Sequence, residues 1–409
     1  MIPQTVEHKQ QSMAAIKALT FVMFMMFAMT TDSVGLIIPE IIKTFRLSLT
    51  AAGTFQYAAM AGIALAGFFL GHLADTLGRK TTIVAGLTLF AASSYLFAAG
   101  NSFLYFSVLL AMSGIGIGIF KTGALALIGD LAKCTKEHTS LMNTVEGFFG
   151  VGSIIGPAIL ARLLATGASW KGLYIVAGVV CTLLILIAVR ARYPHSMQAT
   201  QESMDLKHTV AAMKNRYALA FSLGAFLYVS TEAAIYVWMP TLLSGYRGSG
   251  AFLAAYSISI FFILRAGGRF LGAWMLERVY WTKVLALFSG VILLCFVGAM
   301  LGGAAAAVYL LPASGLFMSV IYPSINSKGI SCFPKGEHGA VAGVILFFTC
   351  LSAVVGPLAM GAVSDAMGHP RYGFILATAF AGLLFAGLLL NWLFDPTRKV
   401  LTHLDETEY

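Results

Sequence analysis

Twelve apolar runs divide this chain, and they constrain its fold more than any other feature. Each run has about 20 residues, enough to cross the roughly 30 Å hydrocarbon core of a bilayer as an α-helix. Hydrophobic residues make up 59% of the chain and charged residues 11%, a balance typical of a protein surrounded mostly by lipid. The sequence predicts an all-α integral membrane protein. Its twelve expected spans are 17–39, 51–71, 82–100, 103–129, 141–165, 170–190, 217–243, 251–275, 282–302, 305–332, 339–364 and 372–394.

The longest polar interval lies at the midpoint and separates six spans from six. This spacing predicts an N-terminal six-helix bundle over 1–190, a cytoplasmic linker over 191–216 and a C-terminal six-helix bundle with a short cytoplasmic tail over 217–409. Two pseudo-symmetric bundles in one chain are the pattern of many secondary transporters.

The distribution of Lys and Arg predicts the orientation. If both termini are cytoplasmic, the inside segments hold 17 basic residues and the outside loops hold six, as the positive-inside rule requires. Because these charges lie in short segments between spans, the net charge of +9 does not indicate nucleic-acid binding. The short outer loops favour a bacterial inner membrane. The N-terminus lacks a cleavable secretory signal, so the first span is expected to remain.

Several motifs that an enzyme or a pump would need are not found in the sequence. There is no nucleophile with a positioned base and no Gly-Lys-Ser/Thr phosphate loop, and the five cysteines are scattered without metal-ligand spacing. We therefore expect no enzymatic activity, no cofactor and no metal. A receptor would usually add a larger soluble domain. The expected partners are the bilayer, a small-molecule substrate and H⁺, with Na⁺ as an open alternative, and the expected state is a monomer.

Ionisable side chains inside the spans mark the candidate site, since each costs at least ~2.5 kcal/mol to insert and therefore tends to face a cavity or a partner. The charged candidates are Asp32, Lys121, Glu146, Glu232 and Arg265. An alternative is that Asp32 and Lys121 form a structural pair.

Amides and aromatic rings accompany these charges along the sequence. The candidates of this kind are Asn143, Tyr228, Trp238, Tyr322 and Asn326. Together they suit a sugar-like ligand, whose hydroxyl groups need donors and acceptors while its apolar faces stack on rings. Singly, the aromatic residues could instead be interfacial anchors.

Glycines recur on the fourth and fifth spans at spacings that allow close helix contact. Gly147, Gly150, Gly152 and Gly156 lie on the fifth span, with Pro157 beside them. They are interpreted either as ordinary packing positions or as places where helices slide or bend.

The decapeptide from Gly71 to Lys80 resembles the loop signature of the major facilitator superfamily. Its small residues allow close helix approach, and its charges can pair or cap helix ends at the cytoplasmic rim. We interpret it as a gating motif, the alternative being an ordinary basic loop. The residues assigned to this motif are Gly71, Asp75, Gly78, Arg79 and Lys80.

Four further segments resemble the branch of that superfamily that contains the fucose, galactose and glucose proton symporters. They are 38–48, 228–238, 318–325 and 361–365. The resemblance implies a site lined by helices one, four, seven and ten, rocker-type alternating access and proton-driven uptake.

Two positions depart from the branch's pattern. The first-helix aspartate of the branch aligns with Gly35, and Asp32 lies one turn earlier, while Lys121 stands where the fucose transporter has a glutamate. Glu146 is therefore the first candidate for proton binding and Asp32 the second.

Export is the alternative function. The segment 152–157 partly resembles the fifth-helix motif of proton-coupled drug exporters, and Lys121 with Arg265 could accept an anionic group. The alternative is a proton-antiporting exporter of a drug-like or siderophore-like polycarboxylate compound.

Overall fold

A computed structural model describes residues 4–70, 73–131, 135–191, 193, 214–333 and 338–402. All regular structure in this described part is helical. Up to residue 193 the helices are α1 (Gln4–Thr31), α2 (Val34–Phe45), α3 (Leu49–Ala52), α4 (Thr54–Leu70), α5 (Leu73–Thr76), α6 (Arg79–Leu96), α7 (Phe103–Leu131), α8 (Thr135–Ala165) and α9 (Lys171–Arg190). From residue 214 they are α10 (Arg216–Ala233), a π-helical turn (Ala234–Trp238), α11 (Met239–Leu242), α12 (Ala251–Ala255), α13 (Ser257–Leu276), α14 (Trp281–Ala313), α15 (Gly315–Met318), α16 (Ile321–Ser331), α17 (His338–Met367) and α18 (Pro370–Phe394).

The apolar runs have become these helices. Within the described residues, 10 continuous helical runs are long and apolar enough to cross a membrane. The longest, Trp281–Ser331, contains two predicted spans, and Gly303 between them has φ +64° and interrupts the helix. The predicted span 82–100 corresponds to α6, which begins with the charged pair Arg79 and Lys80. Each of the twelve predicted spans therefore falls on helix.

The chain forms two compact units. The first comprises 1–45 with 54–200, and the second comprises 46–53 with 201–409, as far as the structure describes them. Most of the predicted linker 191–216 lies outside the described residues.

Close helix packing in the first unit depends on glycine. A Cβ atom built on Gly114 of α7 would lie 2.2 Å from the carbonyl oxygen of Ala59 on α4. On α8, a Cβ on Gly152 or Gly156 would lie 2.1 Å from the carbonyl oxygen of a methionine on α1. These contacts bring α1 and α8 together at backbone distance, which positions the polar side chains described below.

Two helices of the second unit are interrupted. The π-helical turn follows α10 directly, and a turn at 319–320, whose residues keep right-handed φ/ψ angles, separates α15 from α16. Packing of α17 on α10 includes buried hydroxyls: Ser230 lies 2.7 Å from Ser352, whose hydroxyl donates to the carbonyl oxygen of Phe226 at 2.6 Å. Interrupted helices leave main-chain groups available to side chains or ligands and are frequent at functional sites.

Candidate functional site

A buried carboxylate lies at the interrupted helices of the second unit. Glu232, at the end of α10, forms an ion pair with Arg265 of α13, with 2.9 Å between Oε1 and Nη2. Side-chain exposure is 9% for Glu232 and 24% for Arg265, so the guanidinium lies at the more accessible edge of the pair. The fully buried Tyr228 places its hydroxyl 3.2 Å from the same Oε1 and 2.9 Å from the carbonyl oxygen of Met318. Three residues predicted from sequence thus form one cluster.

The remaining predicted residues of this unit differ in whether they contact the cluster. The ring of Tyr322 on α16 stacks on Tyr228 with 6.1 Å between centroids, and its hydroxyl lies 3.4 Å from that of Thr349. Trp238 is buried at the end of the π-helical turn and donates its indole N–H to the carbonyl oxygen of Pro357 at 3.1 Å. Asn326 is half-buried on α16. Tyr322 therefore belongs to the cluster, whereas Trp238 ties the turn to α17.

The first unit holds a second carboxylate at a helix interruption. Asp32 lies between α1 and α2 and is half-buried. The hydroxyl of Ser153 on α8 forms a short hydrogen bond with its Oδ2 and also lies 3.0 Å from the carbonyl oxygen of Phe149. This contact depends on the glycines next to it, because Gly152 and Gly156 bring α8 against α1.

The other predicted residues of the first unit are placed differently. The Lys121 ammonium lies over the ring of Phe149 at 5.4 Å, while the Glu146 side chain is exposed. Asn143 lies on α8, and its side chain falls outside what the structure describes. Phe149 thus contributes to the surroundings of both Asp32 and Lys121, through its carbonyl oxygen and its ring respectively.

The gating motif is described in part. Arg79 is buried and forms an ion pair with Asp130 at the end of α7, with 2.9 Å between Nε and Oδ2, and it donates to the carbonyl oxygen of Ala74 at 2.8 Å. Gly78 precedes α6 with φ +82°, a conformation that glycine adopts without strain. Gly71 and the Asp75 side chain fall outside the described residues. Asp130 is a partner of Arg79 that the sequence did not suggest, and the expected pairing with Asp75 involves a side chain outside the described residues.

The Lys80 side chain caps the C-terminus of α9. Its ammonium donates to the carbonyl oxygens of Val189 and Ala191, at 2.6 and 3.0 Å, at the end of α9. It also lies 5.8 Å from the ring centroid of Tyr193, and burial raises the pKa of that phenol to about 12. A cation at a helix C-terminus is favourable because the last carbonyl groups carry partial negative charge.

A third carboxylate, in the second unit, accepts hydrogen bonds from main-chain amides. Asp365, at the end of α17, accepts hydrogen bonds from the amides of Leu49 and Thr50 at 2.7 and 2.8 Å. The hydroxyl of Ser48 accepts from the amide of Ala51 at 3.2 Å. Together they satisfy amide groups that the start of a helix would otherwise leave unpaired.

Three important partners were not among the predicted site residues: Ser153, Asp130 and Asp365. Ser153 lies beside Gly152 on a glycine-lined helix face, which was a usable signal. Asp130 is 51 residues from Arg79 and Asp365 is more than 300 residues from Leu49. No local spacing links positions so far apart.

Comparison with known proteins agrees with this architecture. The family model of the Major Facilitator Superfamily matches residues 20–357. The glucose/galactose transporter of Brucella abortus biovar 1 (strain 9-941) is 25% identical over 391 residues, covering 92% of this chain and 93% of that protein. The L-fucose-proton symporter of Escherichia coli (strain K12) is 24% identical over 407 residues, covering 89% of this chain and 90% of that protein.

Solved structures show the same fold. A bacterial homolog of the human lysosomal transporter Spinster superposes with a TM-score of 0.76 at 15% identity, covering 96% of this chain and 98% of that one. The E. coli fucose:proton symporter FucP superposes with a TM-score of 0.64 at 20% identity, covering 93% and 99%. The predicted all-α, twelve-helix fold is confirmed. This chain belongs to the Major Facilitator Superfamily and is an integral membrane transporter, not an enzyme.

Proposed function

We propose that this chain is a proton-coupled secondary transporter that moves a small polar solute, a sugar or a sugar acid, by alternating access. One observation carries the proposal. In each unit, a hydroxyl group lies between a carboxylate and a main-chain carbonyl at or beside a helix interruption: Ser153 between Asp32 and Phe149, and Tyr228 between Glu232 and Met318.

This arrangement offers a hydrogen-bond partner to a protonated carboxylate. A hydroxyl group has one proton to donate. Each of these hydroxyls faces a main-chain carbonyl oxygen and a carboxylate oxygen, and when the carboxylate is ionised both oxygens can only accept a hydrogen bond. Protonation of Asp32 lets the acid donate to Ser153 while Ser153 donates to the carbonyl oxygen of Phe149. Each contact then contains a proton. The ionised and protonated forms therefore differ in hydrogen bonding, and a proton can shift the balance between two conformations of the transporter.

The solute class rests on two supports. The half-buried ring of Tyr322, stacked on the buried Tyr228, lies next to charged and hydroxyl groups, a combination suited to the apolar face and the hydroxyl groups of a sugar. The relatives named as a glucose/galactose transporter and an L-fucose-proton symporter match nine-tenths of the chain. We place the protein in a bacterial inner membrane as a monomer, with both termini cytoplasmic, in agreement with its basic inner segments.

Reconstitution tests the proposal directly. Purified protein in liposomes is given an inward proton gradient, or a Na⁺ gradient in parallel, while lumenal pH is followed in the presence of neutral sugars, sugar acids and polycarboxylates. Solute-stimulated proton entry with accumulation of that solute supports symport. Proton entry coupled to solute loss from preloaded vesicles indicates the exporter instead, and accumulation driven only by Na⁺ rules out proton coupling.

Asp32→Asn is expected to abolish proton-driven accumulation while preserving solute exchange. The asparagine amide can donate to Ser153 as the protonated acid would, so the variant resembles a permanently protonated carrier that still binds solute. Counterflow between preloaded vesicles and medium is measured beside accumulation. Glu146→Gln, which alters the exposed carboxylate, is the matched control and should accumulate solute normally. If Glu146→Gln loses accumulation and Asp32→Asn keeps it, Glu146 is the proton site.

A further inference from the structure

The ion pair between Glu232 and Arg265 has a buried partner and an accessible one. The carboxylate side chain is 9% exposed and the guanidinium side chain 24%, so the guanidinium is the more accessible partner. Arginine presents a planar fork of N–H donors that matches a carboxylate in two parallel hydrogen bonds. A solute carboxylate is thus a chemically equivalent replacement for Glu232 at this guanidinium.

Tyr228 supplies a second arrangement for the displaced Glu232. Its hydroxyl lies 2.9 Å from the carbonyl oxygen of Met318, the last residue before the break in the tenth span, and 3.2 Å from Oε1 of Glu232. When Glu232 is protonated, it can donate to the Tyr228 oxygen while Tyr228 donates to Met318. The neutral acid is then satisfied by Tyr228, and Arg265 can pair with a solute anion in place of Glu232.

The titratable groups on the elements packed around this cluster, within the described residues, include Lys328 on α16 and Tyr236 in the π-helical turn. Arg265 comes from α13, Tyr228 from the helix of Glu232, and Tyr322 from α16 behind Tyr228. Between His338 at its start and Asp365 in its last turn, α17 carries one ionisable side chain, the exposed thiol of Cys350. Helix α18 carries none after Tyr372, and α15 carries none. Glu232 is the carboxylate among these groups, so it is the one that can gain a proton as an anion binds.

We propose that Arg265 determines specificity for the carboxylate of a sugar acid, and that Glu232 takes up one proton as the solute carboxylate replaces it on Arg265. This inference rests on the proposed transport function and names its substrate class. The exchange balances in charge: an arginine paired with Glu232 becomes an arginine paired with the solute, beside a neutral acid.

Binding to matched pairs of neutral sugar and sugar acid tests the inference: galactose with galactonate, glucose with gluconate, and fucose with fuconate. Calorimetry on the purified full chain in detergent is performed at about pH 6 and about pH 8, where a sugar acid with a carboxyl pKa near 3.5 stays ionised. Because binding requires a protonated Glu232, we expect one acid to bind more tightly at the lower pH, by up to about tenfold per pH unit. Glu232→Gln should bind that acid equally at both pH values.

Arg265→Gln should weaken binding of the acid at least tenfold more than it weakens binding of the neutral sugar of the pair. If this variant is poorly folded because Glu232 has lost its partner, the double variant Glu232→Gln with Arg265→Gln removes both charges and gives the same expected loss. The inference is overturned if Glu232→Gln keeps the wild-type pH dependence, or if the arginine variants bind the acid normally. Binding and proton-coupled transport of a neutral sugar without any binding of its acid overturns this inference alone. Binding of no sugar or sugar acid contradicts the proposed function as well.

Discussion

Arg79→Ala is expected to destabilise the first unit by about 1.5–3 kcal/mol, the usual contribution of a hydrogen bond to a charged group. Arg79 is 6% exposed and its partner Asp130 is 20% exposed, so the remaining carboxylate would be only partly solvated. The carbonyl oxygen of Ala74 would also lose its donor. Thermal unfolding in detergent, followed by loss of the monodisperse fraction, should show a markedly lower midpoint.

Arg278→Ala is the matched control for Arg79→Ala. Its guanidinium is 54% exposed and lies 3.7 Å from a glutamate carboxylate, and surface pairs of this kind contribute roughly 0–1 kcal/mol. Adding Asp130→Asn to Arg79→Ala should recover part of the stability, because it removes the charge left without a partner. Equal midpoints for Arg79→Ala and Arg278→Ala would show that the buried pair does not stabilise the fold.

Gly156→Ala and Gly150→Ala are expected to change stability in opposite directions, although both residues lie on α8. A Cβ on Gly156 would lie 2.1 Å from the carbonyl oxygen and 2.4 Å from the Cα atom of Met29, so α1 would have to move. Such overpacking costs about 1–3 kcal/mol, occasionally more. A Cβ on Gly150 meets no atom within 4 Å, and alanine is the better helix former by about 1 kcal/mol.

Transport and thermal unfolding of both glycine variants distinguish packing from flexibility. Gly156→Ala should lower the unfolding midpoint and also weaken proton coupling, because the same helix contact holds Ser153 against Asp32. Gly150→Ala should unfold at the wild-type temperature or above it. Loss of transport in Gly150→Ala with unchanged stability would instead indicate that α8 bends there during the cycle.

Part of the candidate site could be predicted from the free-energy cost of placing a charged side chain inside a membrane span. A charged side chain within an apolar run is unfavourable unless it has a partner or a cavity, and this led to Glu232, Arg265 and Asp32. Tyr228 was predicted as one of the aromatic residues that accompany these charges and suit a sugar-like ligand. Their mutual arrangement, with one hydroxyl between a carboxylate and a carbonyl group, depends on the break after Met318 and could not be predicted from spacing.

Partners on other helices were the hardest to predict. The pairing of Arg79 with Asp130 and of Asp32 with Ser153 depends on which faces of separate helices meet. In membrane bundles those faces are set by small residues and close backbone contact, since lipid gives no hydrophobic preference between helices. Sequence identified the glycines of α8 but could not separate Gly156, which touches α1, from Gly150, which does not.

The sequence by itself determined the membrane-spanning helices and the symmetric division into six and six. Bilayer thickness fixes the length that an apolar run needs to cross the membrane. The cost of placing a charge in the bilayer makes the few charged residues within such runs stand out. The tertiary structure decided which carboxylate meets which hydroxyl or guanidinium, and where helices are interrupted to allow it. Those contacts join residues tens to hundreds of positions apart, and only the packing of whole helices brings them within hydrogen-bond distance.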